Sequence, residues 1–156
     1  MRTHLMLMTL LLSQGPVFGQ NRLPSDDPTL RPYQLKVANY IDRCEKEELS
    51  NVEQSECLHD QVKALNDILK TEIGKAERLN NEMAVDKGKY GGDSKQTGRL
   101  LRNDLRNSQA AWQTYTDKFC GSVSNRYEIL GGTGGAVDGN RCAIRHLVQR
   151  INELRG

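Results

Sequence analysis

Four cysteines, Cys44, Cys57, Cys120 and Cys142, and the histidines His59 and His146 are the side chains with the clearest chemical capacity in this sequence. On paper, Cys57-x-His59 and Cys142-x3-His146 could assemble a tetrahedral zinc site with two sulfur and two nitrogen ligands. In an oxidising compartment the same cysteines form two disulfides instead, and that reading is carried forward, with no metal ligands and no cofactor. Neither histidine sits in an H-E-x-x-H helix or a nucleophile motif. The run GGTGGAVDGN has the glycines of a phosphate loop, yet it lacks the G-K-[ST] ending and follows no strand. Glu45, Glu47 and Glu48 interleave with Lys46 in a solvated stretch, so no carboxylate pair is selected for hydrolysis. Arg99, Arg102 and Arg106 share a helical spacing, but Asp104 lies among them, which reads as a solvated face and not a nucleic-acid site. The sequence therefore offers no catalytic residues, and the chain reads as a binding protein, not an enzyme.

The oxidising compartment is inferred from the first residues. Arg2, the apolar run Leu5 to Leu12 and Val17-Phe18-Gly19 have the order of a secretory signal peptide, residues 1–19, too short to span a bilayer. The expected product is a soluble periplasmic or secreted protein with no membrane insertion. Without Arg2, 21 basic and 20 acidic side chains remain. That near-balance gives no argument for a nucleic-acid partner. Pro24, Pro28 and Pro32 make residues 20–32 an extended leader. Residues 33–156 are then a single domain.

Hydrophobic periodicity predicts an all-α fold, a small disulfide-stapled bundle of about four helices with two long glycine-rich loops. The first helix is expected from Tyr33 to about Glu48, with Val37, Ile41 and Cys44 on one face. Ser50 and Glu53 form a capping box. It opens a second helix to about Met83, carrying Leu58, Val62, Leu65, Leu69, Ile73, Ala76, Leu79 and Met83 at steps of four and three. The third, Leu100 to Cys120, carries Leu101, Leu105, Trp112, Tyr115 and Phe119 and is expected to supply much of the core. The fourth, Arg141 to Leu154, turns Ile144, Leu147, Val148, Ile151 and Leu154 inward. Loops are expected at residues 84–98 and 121–140.

Cys44 and Cys57 flank one turn and Cys120 and Cys142 flank another, which pairs them locally. An up-and-down bundle brings all four to one end, so geometry alone leaves the two crossed pairings open. Each local bridge is worth about 3 kcal/mol in the chain-entropy account. If the last two helices are antiparallel, Trp112 and Arg150 lie level, about 12 Å from the bridge, and Asp117 lies level with Arg145. Stacking of Arg150 on Trp112 and an Asp117–Arg145 pair would then set the register.

The ordered set Leu65-Asn66, Gln109-Ala110-Ala111-Trp112, Cys120, a glycine-rich gap, Cys142, Arg150 and Leu154 resembles the small exported LprI-type lysozyme inhibitors over about residues 40–156. The most specific part is Q-x-x-W-x7-C followed by C-x7-R-x3-L. The chain carries Thr116, Leu147 and Leu69 where that family commonly has arginine, threonine and tyrosine. The resemblance implies an exported protein partner, a lysozyme or another cell-wall hydrolase, occluded without covalent chemistry. Residues 121–140 are the candidate partner-binding loop. Their ends are anchored by cysteines, and Tyr127, Glu128 and Asp138 are the groups able to reach into a sugar-binding cleft. The same scaffold would serve as an immunity protein against a delivered toxin. The alternative is an envelope adaptor that binds through its helices; the oligomeric state is not legible.

Overall fold

A computed structural model describes residues 34–130 and 132–156. The expected signal peptide and leader lie outside the described residues. Four helices follow in order: α1 (Ala38–Ile41), α2 (Asn51–Lys89), α3 (Ser94–Ile129) and α4 (Gly135–Arg155), with no strand among the described residues. The all-α, disulfide-stapled expectation holds.

The first helix is much shorter than its pattern suggested. Val37, Ile41 and Cys44 are buried in the core with Tyr40 packed on its edge, whereas Glu45 to Glu48 are exposed and add no apolar contact, so the helix ends at Ile41. Just upstream, the backbone of Leu35 is tied to α4 in both directions. Its N–H donates to Asn152 Oδ1 at 2.8 Å, and Asn152 Nδ2 donates back to its carbonyl at 2.9 Å. Buried Asn152 thereby satisfies its own polar groups while docking the entering chain.

Ser50 starts α2 with the expected capping box: its hydroxyl accepts from Glu53 N–H, and the Glu53 carboxylate accepts from Ser50 N–H at 2.9 Å. The helix then runs 39 residues, about 58 Å. It does not stop near Met83. The loop expected at 84–98 shrinks to a turn at 90–93, where Gly91 takes a positive φ of 81° and Asp93 Oδ1 accepts from Gln96 N–H to cap α3. Gly98, read as a loop residue, lies inside α3 because a Cβ there would meet the Ala84 Cβ at 3.3 Å, a close helix–helix approach.

Helix α4 packs against both long helices and is the centre of the core. Ile144, Leu147, Val148 and Ile151 are buried, and they meet Leu58, Leu65 and Leu69 of α2 with Val37, Ile41 and Cys44. The α3 stripe contributes less than expected. Trp112 packs on the edge of this cluster, whereas Tyr115 and Phe119 are 54% and 44% exposed, stacked on one another at 5.5 Å.

The far end of α4 closes on a buried carboxylate. Glu72 Oε1 accepts from Lys75 at 3.0 Å and from Arg155 at 3.1 and 3.0 Å. Burial raises its pKa, but the hydrogen bonds and charges of Lys75 and Arg155 outweigh that and hold it below its ordinary value. A carboxyl that titrates lower folded than unfolded stabilises the fold above its unfolded pKa, and this is lost as pH falls through the folded value. Glu72→Gln is therefore expected to cost about 1–2 kcal/mol at neutral pH. Thermal melts should show the wild-type advantage shrinking as pH falls below the ordinary glutamate range; an advantage independent of pH would contradict the assignment.

Candidate functional site

At the other end, α3 continues unbroken to Ile129 and α4 begins at Gly135, so the expected 121–140 loop is two helix ends and a short link. Glycines again explain the difference. A Cβ on Gly135 would sit 2.6 Å from the Ser124 carbonyl oxygen, and one on Gly139 would sit 3.1 Å from the Ser124 Cβ. The two backbones nearly touch, which a side chain at Gly135 would forbid.

Two disulfides hold this end: Cys44–Cys57 and Cys120–Cys142, with Cα separations of 5.6 and 5.5 Å. The crossed pairings are excluded. The link is tied to the start of α2 as well, because Asn51 Nδ2 donates to Thr133 Oγ1 at 3.0 Å and Asn140 Nδ2 to the Ser55 carbonyl at 3.0 Å.

Between α3 and α4 lies a groove of about 790 Å³, walled by Phe119, Val123 and Leu130 and by polar groups from both helices. Tyr127 and Asp138, placed in one loop by sequence reasoning, meet here across two helices. The phenol faces the Asp138 carboxylate, and interaction with that carboxylate raises the Tyr127 pKa. Burial raises Asp138, but the bonds from Tyr127 and Arg141 and the charges of Arg141 and Arg145 keep it below its usual range. Arg141 bridges Asp138 at 2.9 Å and Glu45 at 2.8 Å. Arg126 and Arg145 line the same groove and form no ion pair among the described residues. The Glu128 side chain lies outside the described residues.

His146 presents its ring to Tyr115 and Phe119 edge-on at 5.5 and 5.6 Å, and burial lowers its pKa. Its nitrogen lies within 4.8 Å of the Cys120 and Cys142 sulfurs. Those sulfurs are spent on each other and Cys57 on Cys44, so the four-ligand zinc set drawn from the sequence is not assembled.

The motif residues are spread over α2, α3 and α4. Arg150, only 14% exposed, donates from Nε to Gln109 Oε1 at 3.0 Å, from Nη2 to Ser108 Oγ at 3.0 Å and from Nη1 to Glu153 at 3.1 Å. It clamps α3 one turn before Trp112 instead of capping the ring. Asp117 accepts from Gln113 on its own helix at 2.8 Å, so the expected Asp117–Arg145 pair is not formed. Leu65 is buried, Leu154 packs on the core edge, and exposed Asn66 donates to the Val62 carbonyl at 2.9 Å. Of the groove arginines, Arg126 and Arg141 were not singled out from sequence, and Arg145 was read as a partner of Asp117. Their signal was Asp138-x2-Arg141-x3-Arg145, a single helical face.

A small helical bundle with two local disulfides and a polar groove is a fold of the extracytoplasmic, disulfide-containing kind. No helix among the described residues is long and apolar enough to cross a membrane. The sequence profile described as lysozyme inhibitor LprI matches residues 44–154, and the chain belongs to that family. No curated protein and no solved structure matches the chain.

Arg150→Ala removes three hydrogen bonds of a charged, mostly buried group and should cost about 2 kcal/mol. Denaturant unfolding checks this: an unchanged midpoint would mean the clamp is decorative.

Proposed function

We propose that the chain is an exported, periplasmic or secreted inhibitor of a lysozyme-type cell-wall hydrolase, and that it blocks the enzyme without covalent chemistry through the stapled corner between α3 and α4. The family supports the inhibitor class. The observation that carries the location is the corner itself. Ile129 and Leu130 stand 82% and 78% exposed at its tip, with Tyr127 beside them, on helices held by Cys120–Cys142 and by Gly135. A rigid apolar tip suits insertion into a cleft, because little ordering is lost on binding. The cysteine-anchored element expected to occlude the cleft is thus a helical corner instead of a loop.

Charge supports the same end. Residues 42–60 hold seven acidic and two basic side chains, and Asn51, Ser55 and Cys57 of this stretch tie it to the corner or to its neighbouring disulfide. A strongly basic lysozyme would be steered there, although the whole chain is nearly neutral. Immunity against a delivered toxin would use the same surface. The adaptor reading keeps one supporting observation, the exposed Tyr115–Phe119 pair on the α3 face.

A turbidity assay with oxidised protein and a basic lysozyme is expected to show inhibition that weakens with salt. Ile129→Asp with Leu130→Asp should weaken it about tenfold, with the helical circular dichroism unchanged. Full inhibition by that double variant would remove the corner from the mechanism, and none by the wild type in large molar excess would contradict the inhibitor reading for that enzyme.

A further inference from the structure

The opposite end of the bundle carries a surface that the inhibitor reading does not use. Helix α4 ends at Arg155, beside Glu72, whereas α2 continues to Lys89, about 26 Å further. Beyond α4 the α2–α3 hairpin stands, among the described residues, as a two-helix arm. It is held by Asn80 Nδ2 donating to the Leu101 carbonyl at 3.4 Å and by the Gly98–Ala84 approach.

Along α3 the arm presents Lys95, Arg99, Arg102 and Arg106, at steps of four, three and four, all exposed. They form one stripe about 17 Å long. None is paired with a carboxylate among the described residues; Arg102 donates to a neutral amide, Asn81 Oδ1, at 3.0 Å. Asp104 is two positions from Arg102 and so points to another side of the helix. The acids nearest the tip are engaged elsewhere, Asp93 on the α3 cap and Asp86 with Lys89. Residues 75–106 hold eight basic and five acidic side chains, the reverse of residues 42–60. The near-neutral total therefore conceals two oppositely charged ends.

Cations alone would suit any polyanion, but this arm also exposes apolar groups. Tyr90 stands 87% exposed at the hairpin turn, near Lys87 and Lys89. Val85, 58% exposed, lines the same shallow groove as Lys95 and Arg102. A phenol at the tip of a cationic arm is the combination favoured at the boundary between headgroups and acyl chains, where aromatic and basic side chains are both stabilised. A phosphate polymer would leave Tyr90 and Val85 in water. The geometry points to an anionic phospholipid surface as the occupant: the arm lies on the membrane face through Lys95, Arg99, Arg102 and Arg106 with Tyr90 at the interface. The acidic end and the stapled corner then face away from it. Binding is peripheral, and each cation near such a surface contributes about fivefold.

The test is flotation of the oxidised protein, purified from the exported fraction, with vesicles of phosphatidylcholine containing one-third phosphatidylglycerol, against pure phosphatidylcholine. Binding to the anionic vesicles alone, lost in high salt, is expected. R99E with R102E should weaken it about twentyfold or more, while K63E with K70E, the same charge change on exposed α2 positions away from the arm, should leave most of it. Hydrolase inhibition should survive R99E with R102E, so this proposal and the inhibitor reading fail separately. The proposal is overturned by absent binding, by equal binding to neutral vesicles, or by equal weakening in both double variants. It is also overturned if soluble polyphosphate binds and displaces the protein from vesicles, or if R99E with R102E dissolves a dimer.

Discussion

The contact on which this bundle most depends is the approach of two backbones, α4 at Gly135 to α3 at Ser124. With an added Cβ only 2.6 Å from the Ser124 carbonyl oxygen, no side chain fits there without moving a helix. Gly139 repeats the approach one turn later. The Cys120–Cys142 bridge holds the pair from the core side, and Arg150 with Gln109 and Ser108 fixes it further along. These contacts set the separation of α3 and α4, and hence the groove in which Tyr127, Asp138 and Arg141 meet. A wider crossing would part Tyr127 from Asp138 and leave Ile129 and Leu130 on a loose link.

From that end the rest of the molecule follows by length. Helix α4 is 21 residues and fills the space between two helices of 39 and 36, so the core is confined to the part of the bundle that α4 reaches. Beyond Glu72 and Arg155 there is no third helix among the described residues, and the arm lives on small-residue contacts and exposed charge. Function divides along the same axis. A rigid, acid-flanked corner sits at one end and a cationic hairpin at the other, a polarity that overall composition hides.

Much of this was legible in the residues, and the failures share a cause. The α4 core positions, the Ser50–Glu53 cap and the local cysteine pairs were readable because each is a short-range pattern with a local cause. Gly98, Gly135 and Gly139 were misread because glycine permits both tight turns and close helix contact, and sequence alone does not separate the two uses. The periodicity through Tyr115 and Phe119 correctly marked a helix but not what lies against it; among the described residues no helix covers that face, so the rings pack on each other and on His146. Arg150 was placed level with Trp112 correctly. Its contact went to Gln109 and Ser108 because a guanidinium finds stronger partners in amide and hydroxyl oxygens than in a ring face. Arg126 was missed and Arg145 was assigned to Asp117 because a groove shared by two helices leaves no contiguous motif.

The central claim is that residues 121–140 form a rigid helical corner and not a flexible loop. Native-state hydrogen exchange measures this directly. Amides of residues 121–129 and 139–142 should be protected nearly as well as those of the α4 core around Ile144 to Ile151, with fast exchange confined, among the described residues, to Leu130 and 132–134. Reduction of the disulfides should loosen the corner before the core. Uniformly fast exchange across 121–140 in the oxidised protein would contradict the account.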